Sequence, residues 1–122
     1  MAATNRHDAG SEFAIQKRLV QYITARYPDL LFCASAGGAR TSMAEAKRLK
    51  MAGYRKGFPD LFVYEPRATF HGLAIELKRD KGGRVSAHQR KWIEDLKRRG
   101  YMAAVCHGFD QSIELLDAYL DQ

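Results

Sequence analysis

The sequence predicts an α/β fold in which a small mixed β-sheet is flanked by helices. Segments with helical periodicity alternate with short apolar segments of strand length, and the resulting order is α-β-α-β-β-α-β-α. The 122 residues suit one domain with a modest core. The composition is 46% hydrophobic and 28% charged, as in ordinary globular domains. We therefore expect a single domain over residues 1–122, with residues 1–9 flexible.

The first predicted helix covers residues 11–27, where Pro28 ends the pattern. Apolar residues recur in it at helical spacing, and they are Ile15, Leu19, Tyr22 and Ile23. Glu12 falls on the same stripe, which is unusual for a charged residue. One explanation is that the helix dipole favours an acid in the first turn. The other is that Glu12 points into a functional site.

A short strand and a short basic helix are predicted next. The apolar run 30–34 has the length of a strand, and the glycines of the loop 36–40 could let the backbone approach a phosphate. A capping box at 42–45 then begins a helix that closes at Gly53. This region favours contact with a nucleic-acid backbone, with a solvated charged face as the alternative. The residues that we expect to make such contacts are Arg40, Lys47, Lys50, Arg55 and Lys56.

The central stretch, residues 57–78, reads GFPDLFVYEPRATFHGLAIELK and predicts two strands joined by a turn. In the second strand Glu76 and Lys78 alternate with apolar residues, so both face one side of the sheet. Asp60 lies on the neighbouring strand. Burying these charges together is costly unless a cation compensates the carboxylates, and a divalent metal with a preference for oxygen ligands would do so. Mg²⁺ and Mn²⁺ are the metals that match this ligand chemistry.

A basic loop and a third helix are predicted after these strands. The loop, KRDKGGR, contains Lys81 and Arg84, which we also expect to contact a nucleic acid. Ser86 and Gln89 form a second capping box, and the helix ends at Gly100. Gln89 therefore has two interpretations. It either only caps the helix, or it turns its amide toward the sheet and takes part in a site.

The chain is predicted to end with a strand at 101–106 and a helix at 109–120. Cys33 and Cys106 both lie in apolar runs, so we expect both to be buried and reduced, as is usual in the cytoplasm. Neither the spacing of a zinc site nor a signal peptide is apparent. No apolar run approaches the ~20 residues that span a membrane. These features predict a cytoplasmic protein that does not associate with membranes.

The charge of the chain is unevenly distributed. The net charge is +6, and all 20 Lys and Arg lie at or before Arg99, whereas four of the 14 Asp and Glu lie from Asp110 onward and make the last helix and its end acidic. The first 109 residues thus carry 20 basic against ten acidic residues, a charge of +10. Such a body attracts a polyanion, for which DNA or RNA is the natural candidate. A soluble basic surface without a specific partner is the alternative.

Pro59-Asp60, followed at a distance by Glu76-Leu77-Lys78, resembles the PD-(D/E)xK signature of metal-dependent nucleases. Over nearly the whole chain, the sequence is similar to the virus-type replication-repair nuclease (VRR-NUC) branch, in its stand-alone, phage-type form. The residues that carry this further resemblance are Gly57, Glu12 in SEFAIQ and Gln89 in SAHQRKWI. The resemblance implies a restriction-endonuclease-like core.

The resemblance also implies a catalytic site and a substrate. Asp60, Glu76 and the carbonyl of Leu77 would bind Mg²⁺ or Mn²⁺, and Lys78 would hold or deprotonate the attacking water. Glu12 would complete a second metal position or bind a metal through water, and Gln89 would orient the water or Lys78. An ion-pair patch on the edge of the sheet is the alternative for the whole set.

Stand-alone members of the resembling branch act on four-way (Holliday) junctions. A chain with one site would cut both strands of such a substrate most simply as a two-fold homodimer in a bacterial or phage-infected cell. The alternatives are a nuclease for flaps or other branched DNA, and a nucleic-acid-binding module that keeps the fold without cleavage. A restriction-type nuclease that reads sequence is less favoured, because no inserted recognition segment is evident.

Overall fold

The structure, a computed structural model, describes residues 10–35 and 42–122. It confirms the predicted order of helices and strands. The elements are α1 (Glu12–Arg26), β1 (Phe32–Ala34), α2 (Met43–Met51), β2 (Leu61–Val63), β3 (Leu73–Lys78), α3 (Ala87–Arg98), β4 (Met102–His107) and α4 (Gly108–Leu120). Residues 1–9, the loop 36–40 and the predicted DNA contact Arg40 lie outside the described residues.

The four strands form one mixed sheet in the order β1-β2-β3-β4. The pairs β1–β2 and β2–β3 are antiparallel, whereas β3 and β4 are parallel. The two central strands form the predicted hairpin, in which Leu61 lies opposite Ile75. Parallel neighbours need a crossover connection, and α3 supplies it between β3 and β4.

One face of the sheet packs against α1 and α4. The odd-numbered residues of β2 and β3 point to this face, where Leu19 and Ile23 of α1 are completely buried. Each fully buried aliphatic side chain of this kind contributes about 1.5–3 kcal/mol. The two helices are also tied by Asp117, whose carboxylate accepts hydrogen bonds from Tyr22 (2.7 Å) and Tyr27 (2.5 Å).

The opposite face packs against α3. Ile93 and Leu96 of this helix contact a smaller cluster that includes Phe62 and Ala74. Glu76 and Lys78 alternate with the residues of the first face and so share the α3 side of the sheet with Ala74. The fold therefore places the side chains of Glu76 and Lys78 beneath α3.

Helix α2 is the exception to this layered packing, because none of its nine residues is buried. Its start is fixed by Ser42, whose side chain accepts a hydrogen bond from the Glu45 N–H (3.1 Å). Met43 and Met51 are both largely exposed. The helix therefore stands off the core and presents its basic residues to solvent.

The prediction that Cys33 is buried is wrong, whereas Cys106 is buried as expected. Cys33 belongs to β1, an edge strand of three residues whose side chains are mostly exposed, as is the preceding Leu31. Cys106 lies on β4 in the α1–α4 core, where burial raises the pKa of its thiol to about 11. An apolar run of strand length does not distinguish these two positions. Among the described residues, no helix combines the length and apolar character needed to cross a bilayer.

Candidate active site

Asp60 lies immediately before β2 and is held from two sides. Its main-chain oxygen accepts a hydrogen bond from the Ser35 N–H (2.8 Å), beyond the end of β1. Its Oδ2 accepts a hydrogen bond from the Leu77 N–H (2.7 Å). The pairing of β2 with β3 extends only as far as Ile75. Beyond it, the Asp60 carboxylate accepts the hydrogen bond of the Leu77 N–H in place of a main-chain carbonyl group. The sheet thus fixes this carboxylate beside the end of β3.

Glu76 and Lys78 are buried charged residues on the adjacent strand. Their exposed fractions are 1% and 5%, and Lys78 Nζ lies 3.7 Å from Glu76 Oε2. At this distance the ammonium acts through its charge rather than through a short hydrogen bond. Removing such groups from water costs several kcal/mol per ion, so their retention points to a role other than stability.

The pKa of Glu76 is raised from 4.5 to about 9. Burial is the largest cause, followed by the negative charge of Asp60 and a hydrogen bond with it. The Lys78 ammonium lowers the pKa but does not outweigh these effects. Near pH 7 the Glu76 carboxyl therefore favours its protonated form.

Gln89 completes the cap of α3 and also turns its amide toward the sheet. Its Oε1 accepts a hydrogen bond from the Ser86 N–H (2.9 Å), and its own N–H donates to Ser86 Oγ (3.1 Å), so the capping box is complete. Its Nε2 meanwhile donates to Glu76 Oε2 (3.0 Å). The cap fixes which end of the amide is the oxygen, and this orientation directs a donor at the buried carboxyl group.

Gly57 allows the loop before Asp60 to lie against the start of α3. Its φ is +91°, and a Cβ placed there would lie 2.6 Å from the His88 carbonyl carbon and 2.8 Å from the Gln89 nitrogen. Only glycine adopts this conformation and this close approach without strain. Gly57 is therefore required at this position because it lets the segment that carries Asp60 pack against the start of α3, which carries Gln89.

The other predicted site residues lie around this centre. Glu12 is half-buried in the first turn of α1, and its charge contributes the smallest of the effects that raise the pKa of Glu76. Lys81 and Arg84 are exposed on the loop that follows β3. Gly83 of that loop packs over Lys78, since a Cβ built on it would lie 3.4 Å from Lys78 Cβ. The basic loop therefore covers the lysine and displays two cations beside it.

The chemistry of the donor set fits a hard divalent cation. Asp60 and Glu76 offer carboxyl oxygens, and the raised pKa of Glu76 reflects burial and then repulsion by Asp60, which a cation would relieve. Within 10–35 and 42–122, no three His, Cys, Asp or Glu side chains gather in a metal-binding arrangement. Two carboxylates and a main-chain oxygen, as predicted at Leu77, would then be the donors that the protein offers, and water would supply the rest.

Four of the predicted DNA contacts are exposed, and they are Lys47, Lys50, Arg55 and Lys56. The last three of them line a groove of about 1200 Å³ between α2 and α3. Tyr54 lines the same groove, and sequence reasoning missed it. Its pKa is raised by burial and then by the charges of Asp60 and Glu76, so this ring lies within electrostatic reach of both carboxyl groups. No periodic pattern covers Tyr54, and its sequence position offers no signal for this placement.

Comparisons with known proteins agree with this fold. A family model described as "VRR-NUC domain" matches residues 16–110. A solved structure titled "VRR_NUC domain protein" superimposes with a TM-score of 0.79 at 26% identity and covers 91% of this chain and 88% of its own. A second, titled "VRR_NUC domain", has a TM-score of 0.58 at 24% identity, covers 88% and 96%, and supports the fold. No curated protein matches the chain.

Proposed function

Because the chain belongs to the VRR-NUC domain family, whose members are nucleases with a PD-(D/E)xK-like fold, we propose that it is a divalent-metal-dependent DNA endonuclease. The observation that carries this proposal is the convergence of three segments on one buried carboxyl group. Gln89 donates to Glu76 from α3, Lys78 faces it from the same strand, and Asp60 is anchored beside it.

Asp60, Glu76 and the carbonyl of Leu77 would hold the metal, for which Mg²⁺ or Mn²⁺ fits the ligands. A divalent ion in such a site activates water and offsets charge on the scissile phosphate. Glu76 must release its proton before it can act as a ligand, and Gln89 keeps the relevant oxygen oriented while it does so.

Lys78 is positioned to act on the attacking water or on the phosphate. Its ammonium offers three N–H donors and a positive charge in a site with little water, where charge stabilisation is most effective. It holds the nucleophile and balances the negative charge that develops on the phosphoryl oxygens. Glu12, in the first turn of α1, would help to hold a second metal ion.

The proposed substrate is branched DNA, with four-way junctions preferred over linear duplex, and the proposed active form is a homodimer. Two facts support this proposal. Each chain contains one such centre within its described residues, and paired cuts in opposing strands need two centres at a fixed separation. The proposed location is the cytoplasm of a bacterial or phage-infected cell, where such DNA is accessible.

The nuclease proposal is tested with labelled linear, flap and four-way-junction DNA in Mg²⁺, Mn²⁺, Ca²⁺ or EDTA. We expect cleavage in Mg²⁺ and Mn²⁺ and none in EDTA or in Ca²⁺, which is larger and prefers looser coordination. The variants Asp60→Ala, Glu76→Ala and Lys78→Ala should each lose cleavage by at least about 100-fold and still bind DNA. Undiminished cutting by a folded Glu76→Ala protein would overturn the mechanism.

The junction proposal has a separate test. Light scattering at micromolar concentration should give twice the mass of one chain, and a junction with four separately labelled arms should be cut in opposing strands. A monomer that cuts flaps faster than junctions would reject the homodimer and the junction preference. It would leave the metal-dependent nuclease in place.

A further inference from the structure

The groove between α2 and α3 is an electropositive channel. Among its lining residues are five Lys and Arg side chains and a single acid, Asp95. That acid is already paired within α3, because Lys91 Nζ lies 2.9 Å from its Oδ2 and Arg98 donates to its other oxygen. Most of the positive charge contributed by α2 and by the segment that follows it is therefore available for a ligand. Such a groove selects a polyanion.

The same groove carries planar side chains. Tyr54, His88 and Trp92 line it, and the guanidinium of Arg55 lies 5.0 Å from the centroid of the Trp92 ring. The indole is held in place because its Nε1–H donates to the Lys56 carbonyl oxygen (3.1 Å). Rings and guanidinium planes of this kind are the surfaces on which nucleic-acid bases stack.

We propose that this groove binds an unpaired strand of DNA next to the cleavage site. Bases in a duplex are stacked on each other and have no free faces, so an arrangement of rings and cations favours a single strand. A small molecule is a poorer fit, because small-molecule sites usually enclose about 300–1000 Å³ and contain few charges. The inference rests on the proposed nuclease function and names the part of a branched substrate that the groove receives.

The groove and the catalytic centre are neighbours. Lys56 lines the groove, and the next residue, Gly57, lies against the backbone of His88 and Gln89 at the start of α3. His88 faces the groove, whereas the Gln89 amide reaches Glu76. Tyr54 lines the groove, and the charges of Asp60 and Glu76 contribute, after burial, to its raised pKa. A strand lying along the groove would therefore arrive at the carboxyl groups.

The chain contains a single tryptophan, so its fluorescence reports on this groove. The full chain in EDTA is titrated with a 12-nucleotide oligo(dT) and, separately, with a blunt-ended DNA duplex of two complementary strands, which has no unpaired nucleotides. We expect the oligonucleotide to quench the emission of Trp92 and the duplex to leave it nearly unchanged. Equal quenching by both would mean that the groove takes duplex DNA, and no quenching by either would mean that it takes neither. Both results overturn the inference.

A matched pair of variants tests the contribution of the groove to affinity. Arg55→Gln removes a cation and its stacking plane from the exposed rim, whereas Lys97→Gln removes a cation from α3 outside the groove. Binding of labelled oligo(dT), followed by fluorescence anisotropy, should weaken about tenfold in Arg55→Gln, since one stacked base contributes about 1–3 kcal/mol. Lys97→Gln should bind within about twofold of the parent. Equal losses of affinity in both variants would mean that only the net charge of the protein matters, and this result would reject the groove as the binding site.

These measurements need no cleavage, so they separate the groove from the catalytic proposal. If branched DNA is cut in Mg²⁺ but oligo(dT) leaves Trp92 unaffected, the groove inference falls and the nuclease stands. If oligo(dT) quenches Trp92 but no DNA is cut in any metal, the groove stands as a binding site and the nuclease proposal falls.

Discussion

The buried carboxyl group of Glu76 should make the stability of the metal-free protein depend on pH. Its pKa is 4.5 in the unfolded chain and about 9 in the folded one, so the folded state binds more protons between these values. The free energy of unfolding then falls as pH rises through this window, with a slope of at most about 1.4 kcal/mol per pH unit. Calorimetry in EDTA should show a melting temperature that declines from pH 5 to pH 9.

The variant Glu76→Gln removes this titration and keeps the shape of the side chain. It should melt at nearly the same temperature across the range and exceed the parent at pH 8. The charged groups that face this position, Asp60, Lys78 and Glu12, are unchanged in the variant. The control is Glu94→Gln, the same substitution on the exposed face of α3. A parental pH profile in Glu76→Gln would contradict the assignment.

The two roles of Gln89 can be separated by substitution. Gln89→Glu retains an oxygen for the Ser86 N–H, as in the common form of the capping box, but places a carboxyl group where a donor faced Glu76. Cleavage should fall at least about tenfold, because the buried Glu76 carboxyl loses its donor, and leaving such a group unpaired costs about 1–3 kcal/mol. The complementary variant Ser86→Ala loses the cap, so stability should drop by about 1 kcal/mol while cleavage continues. Unchanged cleavage in Gln89→Glu would show that the contact between Gln89 and Glu76 does not contribute to catalysis.

At the level of elements, the close approach of the loop before β2 to α3 depends on Gly57. The variant Gly57→Ala combines an unfavourable φ with a collision against backbone, whereas Gly53→Ala meets only the φ penalty, because nothing lies within 4 Å of its Cβ. We expect Gly53→Ala to cost about 1–2 kcal/mol and Gly57→Ala to cost more and to reduce cleavage. Chemical denaturation and a cleavage assay measure both, and equal losses would mean that the packing at Gly57 is unimportant.

Helices, strands and their buried faces could be predicted wherever a local sequence pattern indicates which side chains face the core. The alternation in β3 placed Glu76 and Lys78 on one face, and the capping box located the start of α3, because both depend on neighbours in sequence. Cys33 was wrongly predicted to be buried, because its exposure depends on the position of β1 at the edge of the sheet, which the local sequence does not indicate. Tyr54 was missed because its proximity to Asp60 arises from a loop without periodicity. The PD-(D/E)xK-like fold was therefore predictable, whereas the surroundings of its centre were not.

For the whole molecule, the basic residues of α2 should govern the salt dependence of DNA binding. Reversing Lys47 and Lys50 to Glu removes phosphate contacts, each of which contributes about 0.9 to the slope of log K against log salt. Affinity should fall alike for all sequences, because phosphate contacts carry little base information. The control reverses Lys17 and Lys97, two exposed lysines elsewhere, with the same change in net charge. Loss of binding to one sequence only would indicate base recognition instead.

The absence of buried residues in α2 has a consequence for how DNA is held. A nine-residue helix without tertiary support is marginal in water, so its amide hydrogens should exchange with solvent far faster than those of β3, whose side chains are all buried. Bound DNA would slow this exchange, because its contacts would stabilise α2, which the core does not do. The measured affinity for DNA then depends on the fraction of molecules in which α2 is already helical. Substituting alanine for non-basic residues of α2 raises this fraction, so the variant should bind DNA more tightly although it makes no new contact.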